Sequence, residues 1–189
     1  MENIQKWIAI FEENIDKNDI EFEQKTGLAL RRTNNVTKQQ LLSIIKWRYS
    51  AQKHYYTRIL KFVENLSDSE IREVTCAAIL LSSDYYKITL LCAIPGVGPA
   101  LSAIILSFHS PHNYGLFEHG VWHLLFPGKK VDISINGYIK YLERLRNISK
   151  DLGAPVRIVE QALLVKSKAE NKPRAHIKNS GHSTAAIIP

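Results

Sequence analysis

The sequence predicts an all-α protein, and three observations carry that prediction. No stretch of the 189 residues alternates apolar and polar side chains over the length of a strand. Apolar residues recur three and four apart instead, as in Ile4, Trp7, Ile8, Phe11 and Ile15. Residues that start and stop helices punctuate these stretches throughout.

Taken in order, residues 4–15 form a first amphipathic helix. Thr37 and Gln40 make a capping box ahead of LLSIIKW, each side chain satisfying a backbone N–H of the first turn. QKHYYTRILKFV predicts the next helix. Ser67 or Ser69 caps EIREVTCAAILL, and Ser83 or Asp84 caps YYKITLLCAI. Pro99, with its fixed φ and no N–H to satisfy, suits a first helical position and opens ALSAIILSFH. HSPHNYG is a loop, EHGVWHLLF a short helix, and PGKKVDIS a second loop in which Asp132 reads as a cap. NGYIKYLERLRNISKDL follows, with Tyr138, Tyr141, Leu142, Leu145, Ile148 and Leu152 on one stripe and Gly153 as its stop. APVRIVEQALLVKSKAE, with Pro155 near its start, is the last helix. Residues 171–189 lack periodicity and read as a flexible basic tail. Its Lys172, Arg174 and Lys178 would add only salt-sensitive affinity for a polyanion.

Composition narrows the function. Apolar residues make up 45% of the chain, which is ordinary for a globular protein. No run of about 18 apolar residues predicts a membrane span. The N-terminus is acidic and lacks the basic start of a secretory signal, so the chain reads as cytoplasmic. Cys76 and Cys92 are too few for a disulfide framework or a four-cysteine cluster. The net charge of +7 favours polyanions, of which nucleic acid is the commonest in cytosol. Charge alone leaves open a basic protein with no specific polyanion.

One stretch is more specific. LLCAIPGVGPALSAIIL is strongly apolar, yet Pro-Gly-Val-Gly-Pro interrupts it. A helix interior would lose about 1 kcal/mol at each Gly and about 3 at each Pro. The interruption is therefore a turn between two helices, spanning about 84–109 with its flanks. Gly96 and Gly98 permit positive φ and close approach, Ile94 and Val97 would anchor the turn, and Ala100 lies in the first turn of the helix that follows. The unpaired N–H groups at that helix start would grip a phosphate without reading a base. An ordinary antiparallel helix pair with a glycine-rich turn is the plainer alternative.

Beyond this turn lies Glu118, twenty residues after Gly98 and at the start of the next helix. I-P-G-V-G-P-A-L-S-A followed by GLFEHGVWHLL resembles the helix-hairpin-helix DNA glycosylase superfamily, the group typified by endonuclease III. Its hairpin reads roughly L-P-G-V-G-x-x-T-A and precedes a catalytic Asp. The resemblance is specific over residues 90–125 and general elsewhere; LLSIIKWRYS is also similar to a W-K-S-x-R stretch of small bacterial members. It implies a two-lobed helical fold over residues 1–170 and a monomer acting on double-stranded DNA with a flipped-out base, in association with the nucleoid. It implies no required cofactor, and allows a monovalent cation held by hairpin carbonyls. Ile94, Gly96, Val97, Gly98 and Ala100 would contact DNA, with Lys129 and Lys130 on nearby phosphates. Trp47, Arg48, Tyr49 and His119 would line the base pocket.

The implied chemistry centres on Glu118. A carboxylate beside the sugar stabilises an oxocarbenium-like charge and can deprotonate water. Glu in place of Asp moves that carboxylate by about 1.5 Å, the length of one C–C bond. Misplacement by about 1 Å can cost on the order of 100-fold in rate. The alternative is a plain helix-start carboxylate interacting with the dipole. Members with lyase activity carry a Lys where this chain has Ala100, so a glycosylase here would be monofunctional.

Other readings stand beside this one. His109, His112, His119 and His123 crowd one region and could hold a metal, as in a metal-dependent nuclease. Among Trp47, Arg48, Tyr49, His54, Tyr55 and Tyr56, helical spacing favours core for most, including Trp47 and Tyr55. A non-catalytic DNA-binding or adaptor protein on the same fold is the main alternative to the enzyme. The excised base is not encoded in any residue; damaged bases in repair and hypermodified phage bases in antiviral defence both remain.

Overall fold

The structure, a computed structural model, describes residues 4–14 and 16–170. Among these the protein is all helical. The helices are α1 (Ile4–Glu13), α2 (Lys17–Thr33), α3 (Lys38–Tyr49), α4 (Lys53–Val63), α5 (Asp68–Leu80), α6 (Asp84–Leu91), α7 (Pro99–His109), α8 (His119–Leu125), α9 (Ile135–Leu152) and α10 (Val156–Glu170). None is long and apolar enough to cross a membrane. The tail expected at 171–189 lies outside the described residues.

The predicted caps form largely as read. Thr37 with Gln40, and Ser67 with Glu70, complete reciprocal capping boxes on α3 and α5. Gly153 ends α9 in the left-handed region at φ 64°. Asp132 does not cap α9. Ser134 does, its hydroxyl accepting from the Gly137 N–H, while Asp132 accepts from the Ser134 N–H two residues earlier.

Helix α2 has no counterpart in the sequence reading. It meets α7 through a close backbone approach: Thr26, Gly27 and Leu30 are its buried positions, and Phe22 packs 6.0 Å from Phe108. A Cβ on Gly27 would lie 2.4 Å from the Phe108 carbonyl oxygen, so the two backbones touch. Arg31 then donates to the carbonyls of Phe108 and His109 at 2.9 and 3.3 Å, closing the exposed end of α7.

One connected core unites the helices, from Ile4 of α1 to Leu163 of α10. Helix α7 lies deep within it, with every residue from Leu101 to Phe108 buried. The α6–α7 pair is thus fixed from behind, and its turn faces outward beside α4.

Candidate nucleic-acid interface and reactive site

The turn between α6 and α7 is built by its own residues. The Val97 N–H donates to the Ile94 carbonyl at 2.9 Å across Pro95 and Gly96, and Gly96 has φ 87°. Proline followed by a positive-φ glycine is the chemistry of a type II turn. Ile94 and Val97 are 3% and 5% exposed, so they anchor the turn, and a ligand would meet only their backbone.

Gly98 differs from expectation. Its φ of −105° suits any residue, and its service lies in space: a Cβ there would meet nothing within 4 Å. It occupies the N-cap of α7 without a side-chain cap, and the first intrahelical bond runs from Ser102 N–H to Gly98 O at 2.9 Å. The N–H groups of Gly98, Ala100 and Leu101 therefore stand without intrahelical partners at the positive end of the dipole. The turn carbonyls of Pro95, Gly96 and Val97 accept no backbone N–H among the described residues, so they are the ones able to hold a monovalent cation.

A cleft of about 500 Å³ opens against this turn. Gly96, Gly98 and Ala100 form one wall, Arg48 and Tyr49 from the end of α3 another, and Glu118 with His119 a third. Gln52, Tyr55, Ile59, Phe117 and Ile133 also line it. Tyr55, expected in the core, is 41% exposed at its mouth.

Glu118 is the N-cap residue of α8, but its side chain makes no capping bond. Its carboxylate pairs with Arg48 at 2.7 Å, across the cleft from α3. Burial opposes the Arg48 charge, yet Glu118, with smaller help from Tyr49 and Glu160, more than offsets it and holds the guanidinium above its ordinary value. Burial likewise raises the Tyr49 phenol, aided by Tyr55 and opposed by Arg48.

The Arg48–Glu118 pair also borders a second cavity, of about 360 Å³, between α1, α2 and α10. Trp47 lines that cavity and not the one at the hairpin. Its indole N–H donates to Asp19 at 2.7 Å, and its ring packs 5.8 Å from Phe22 and 5.3 Å from Phe108. This anchoring places Trp47 in the cavity that Arg48 and Glu118 also border, on the far side of that pair from the hairpin. Lys129 and Lys130 are exposed and outside the hairpin cleft, with Lys130 on a neighbouring groove that also includes His119.

Buried polar groups hold the segment that carries Glu118. The Tyr138 hydroxyl donates to Gly115 O at 2.8 Å, and the Tyr141 hydroxyl to Leu116 O at 2.9 Å. The Leu116 N–H donates to Glu160 at 3.3 Å. Glu160, fully buried on α10, is also held by Arg157, which reaches on to Glu23 of α2. Burial pushes the Glu160 carboxyl up to about 7, against the pull of Arg157 and with the help of Glu118. Its second oxygen is buried without a hydrogen-bond partner among the described residues. Nearby, Tyr114 donates to Asp84 at 2.5 Å and Arg146 pairs with the same carboxylate, tying the start of α6 to this loop and to α9.

Among the described residues no three His, Cys, Asp or Glu side chains are placed to hold a metal ion. His109 instead bonds Ser110 and Asn34, at 2.7 and 3.1 Å. Comparison with known protein families, with curated proteins and with solved structures gives no match.

Proposed function

We propose that the protein is a monofunctional DNA glycosylase. The observation that carries this reading is the cleft itself: the hairpin glycines, Glu118 and the Arg48–Tyr49 pair share one cavity. The free N–H groups at the start of α7 hold a phosphate beside the target nucleotide. A cation on the turn carbonyls would add positive charge to that grip. The base, turned out of the stack, enters beside Tyr49 and Arg48 between two helical lobes.

As the C1′–N bond breaks, its electron pair leaves with the base, which takes up a proton. Positive charge develops on the sugar, facing the Glu118 carboxylate. Glu118 takes a proton from the attacking water, whose oxygen bonds to C1′. Arg48 must release Glu118 for this, and its guanidinium turns to the base or to a phosphate. Ala100 has no amine, so no Schiff base forms and the strand stays whole. The cleft volume falls in the range of about 300–1,000 Å³ that admits drug-sized ligands, so size allows a damaged base or a bulky modified one.

One observation favours a second reading, a non-catalytic DNA-binding adaptor: Glu118 is a glutamate already engaged by Arg48 at 2.7 Å. Abasic-site counting separates the two. Plain DNA, alkylated DNA and phage DNA with modified cytosine are incubated with protein and chelator, then labelled with an aldehyde-reactive probe. The glycosylase gives sites on one of these, and Glu118→Gln lowers their rate at least about 100-fold. Tight DNA binding without product on any of them marks the adaptor.

A further inference from the structure

Helix α4 carries a surface that the cleft chemistry does not use. Between Lys53 and Val63 it holds Lys53, His54, Arg58 and Lys61, all exposed, and no acidic residue. No ion pair among the described residues compensates Lys53, Arg58 or Lys61. Two aromatic rings are exposed beside these charges: Phe62 at 51%, and Tyr55 at 41% with one side 5.0 Å from the Tyr49 ring.

Positions 55, 58 and 62 are three and four apart, so they share one stripe of the helix. The candidate site fixes both ends of that stripe. Tyr55 lines the cleft, and Phe62 backs the hairpin, its Cβ 3.3 Å from where a Cβ on Gly96 would stand. In between, the Arg58 guanidinium lies 4.9 Å from the Tyr55 ring centre. Ile59 and Val63 are buried beneath, which makes the face rigid.

Uncompensated cations interleaved with open rings suit a nucleic-acid strand. The cations meet phosphates, and the rings stack on unpaired bases whatever their identity. An acidic protein surface would use the charges and leave the rings without a role. We propose that the Tyr55–Arg58–Phe62 face of α4 is a second DNA-contacting surface, which receives phosphates and one unstacked base where the strand passes from the hairpin to the cleft mouth. It rests on the glycosylase reading only in taking the polyanion to be DNA with an opened stack.

The test is equilibrium binding of the full chain, in chelator, to a short duplex carrying an abasic-site analogue, followed by fluorescence anisotropy over a salt series. Arg58→Ala with Lys61→Ala is expected to lower the slope of log affinity against log salt by about 2. Phe62→Ala is expected to weaken binding about ten-fold at unchanged slope, and Phe62→Tyr to restore it. Circular dichroism verifies that each variant is folded. If the α4 variants bind as wild type does while Gly98→Ala weakens binding, the proposal falls and the hairpin reading stands. If the wild-type chain binds no DNA, both fall. If the variants lose only binding to anionic lipid vesicles, the face serves a membrane surface and the proposal falls.

Discussion

The hairpin and the segment carrying Glu118 face each other across one cleft, yet they are held in opposite ways. The hairpin relies on apolar anchors, Ile94 and Val97, and on the turn chemistry of Pro95 and Gly96. The Glu118 segment hangs from buried polar bonds to Tyr138, Tyr141 and Glu160. Burial of a methyl group is forgiving in direction, whereas a hydrogen bond fixes distance and angle. The hairpin wall is thus held firm, while the Glu118 wall is also aimed.

Five substitutions sharpen that contrast. Ile94→Ala is expected to cost the most, about 3 kcal/mol by urea unfolding, with little change between pH 5 and 7.5. Stability on the Glu118 side should depend on pH. Glu160 rises from an ordinary 4.5 to about 7 in the folded protein, so the folded state holds that proton more tightly. The resulting stabilisation is complete below about pH 4.5 and is lost as pH rises through 7, up to about 3 kcal/mol in all. Asp84 acts in the other sense, since Arg146 and Tyr114 hold it low in spite of its burial. The quantity to measure is therefore wild type minus Glu160→Gln at pH 5 and 7.5; an equal difference at both would remove Glu160 from the account.

Tyr141→Phe leaves the Leu116 carbonyl unpaired and is expected to cost about 1–2 kcal/mol. Amide exchange should quicken at residues 115–118 and stay unchanged at the hairpin. The smallest effect is expected at Gly98. Its Cβ would meet nothing and its φ is ordinary, so Gly98→Ala should move stability by less than about 0.5 kcal/mol while weakening DNA binding. Gly96→Ala, at φ 87°, is expected to cost about 1 kcal/mol or more.

The same contrast decides what the sequence reveals. The hairpin is local: two prolines, two glycines and apolar flanks within seventeen residues state its geometry. The bonds around Glu118 join residues 23 to 44 positions apart, and no local pattern announces them. Arg48, Tyr49 and Glu118 were reachable by resemblance, and they do share the cleft; Trp47, their neighbour, turned out to serve the α2–α7 packing. Gln52 and Ile133 left no signal of their own. Glu160 left one: Val156, Val159, Leu163 and Ser167 share its buried stripe on α10, and a carboxylate on such a stripe needs an Arg157. Helix α2 escaped because Thr26 and Gly27, where it comes closest to α7, sit between Phe22 and Leu30 and break the hydropathic period of its buried face.

Gly27 has a practical bearing on any attempt to harden this protein. It lies within a regular helix, and general propensity would credit Gly27→Ala with about 1 kcal/mol. Here the new methyl would collide with the Phe108 carbonyl and lever α2 outward. With it would go Arg31 from the end of α7 and Asp19 from Trp47. A stabilising library or a consensus design that treats helical glycines alike would loosen the α2–α7 packing of this chain while aiming to strengthen it.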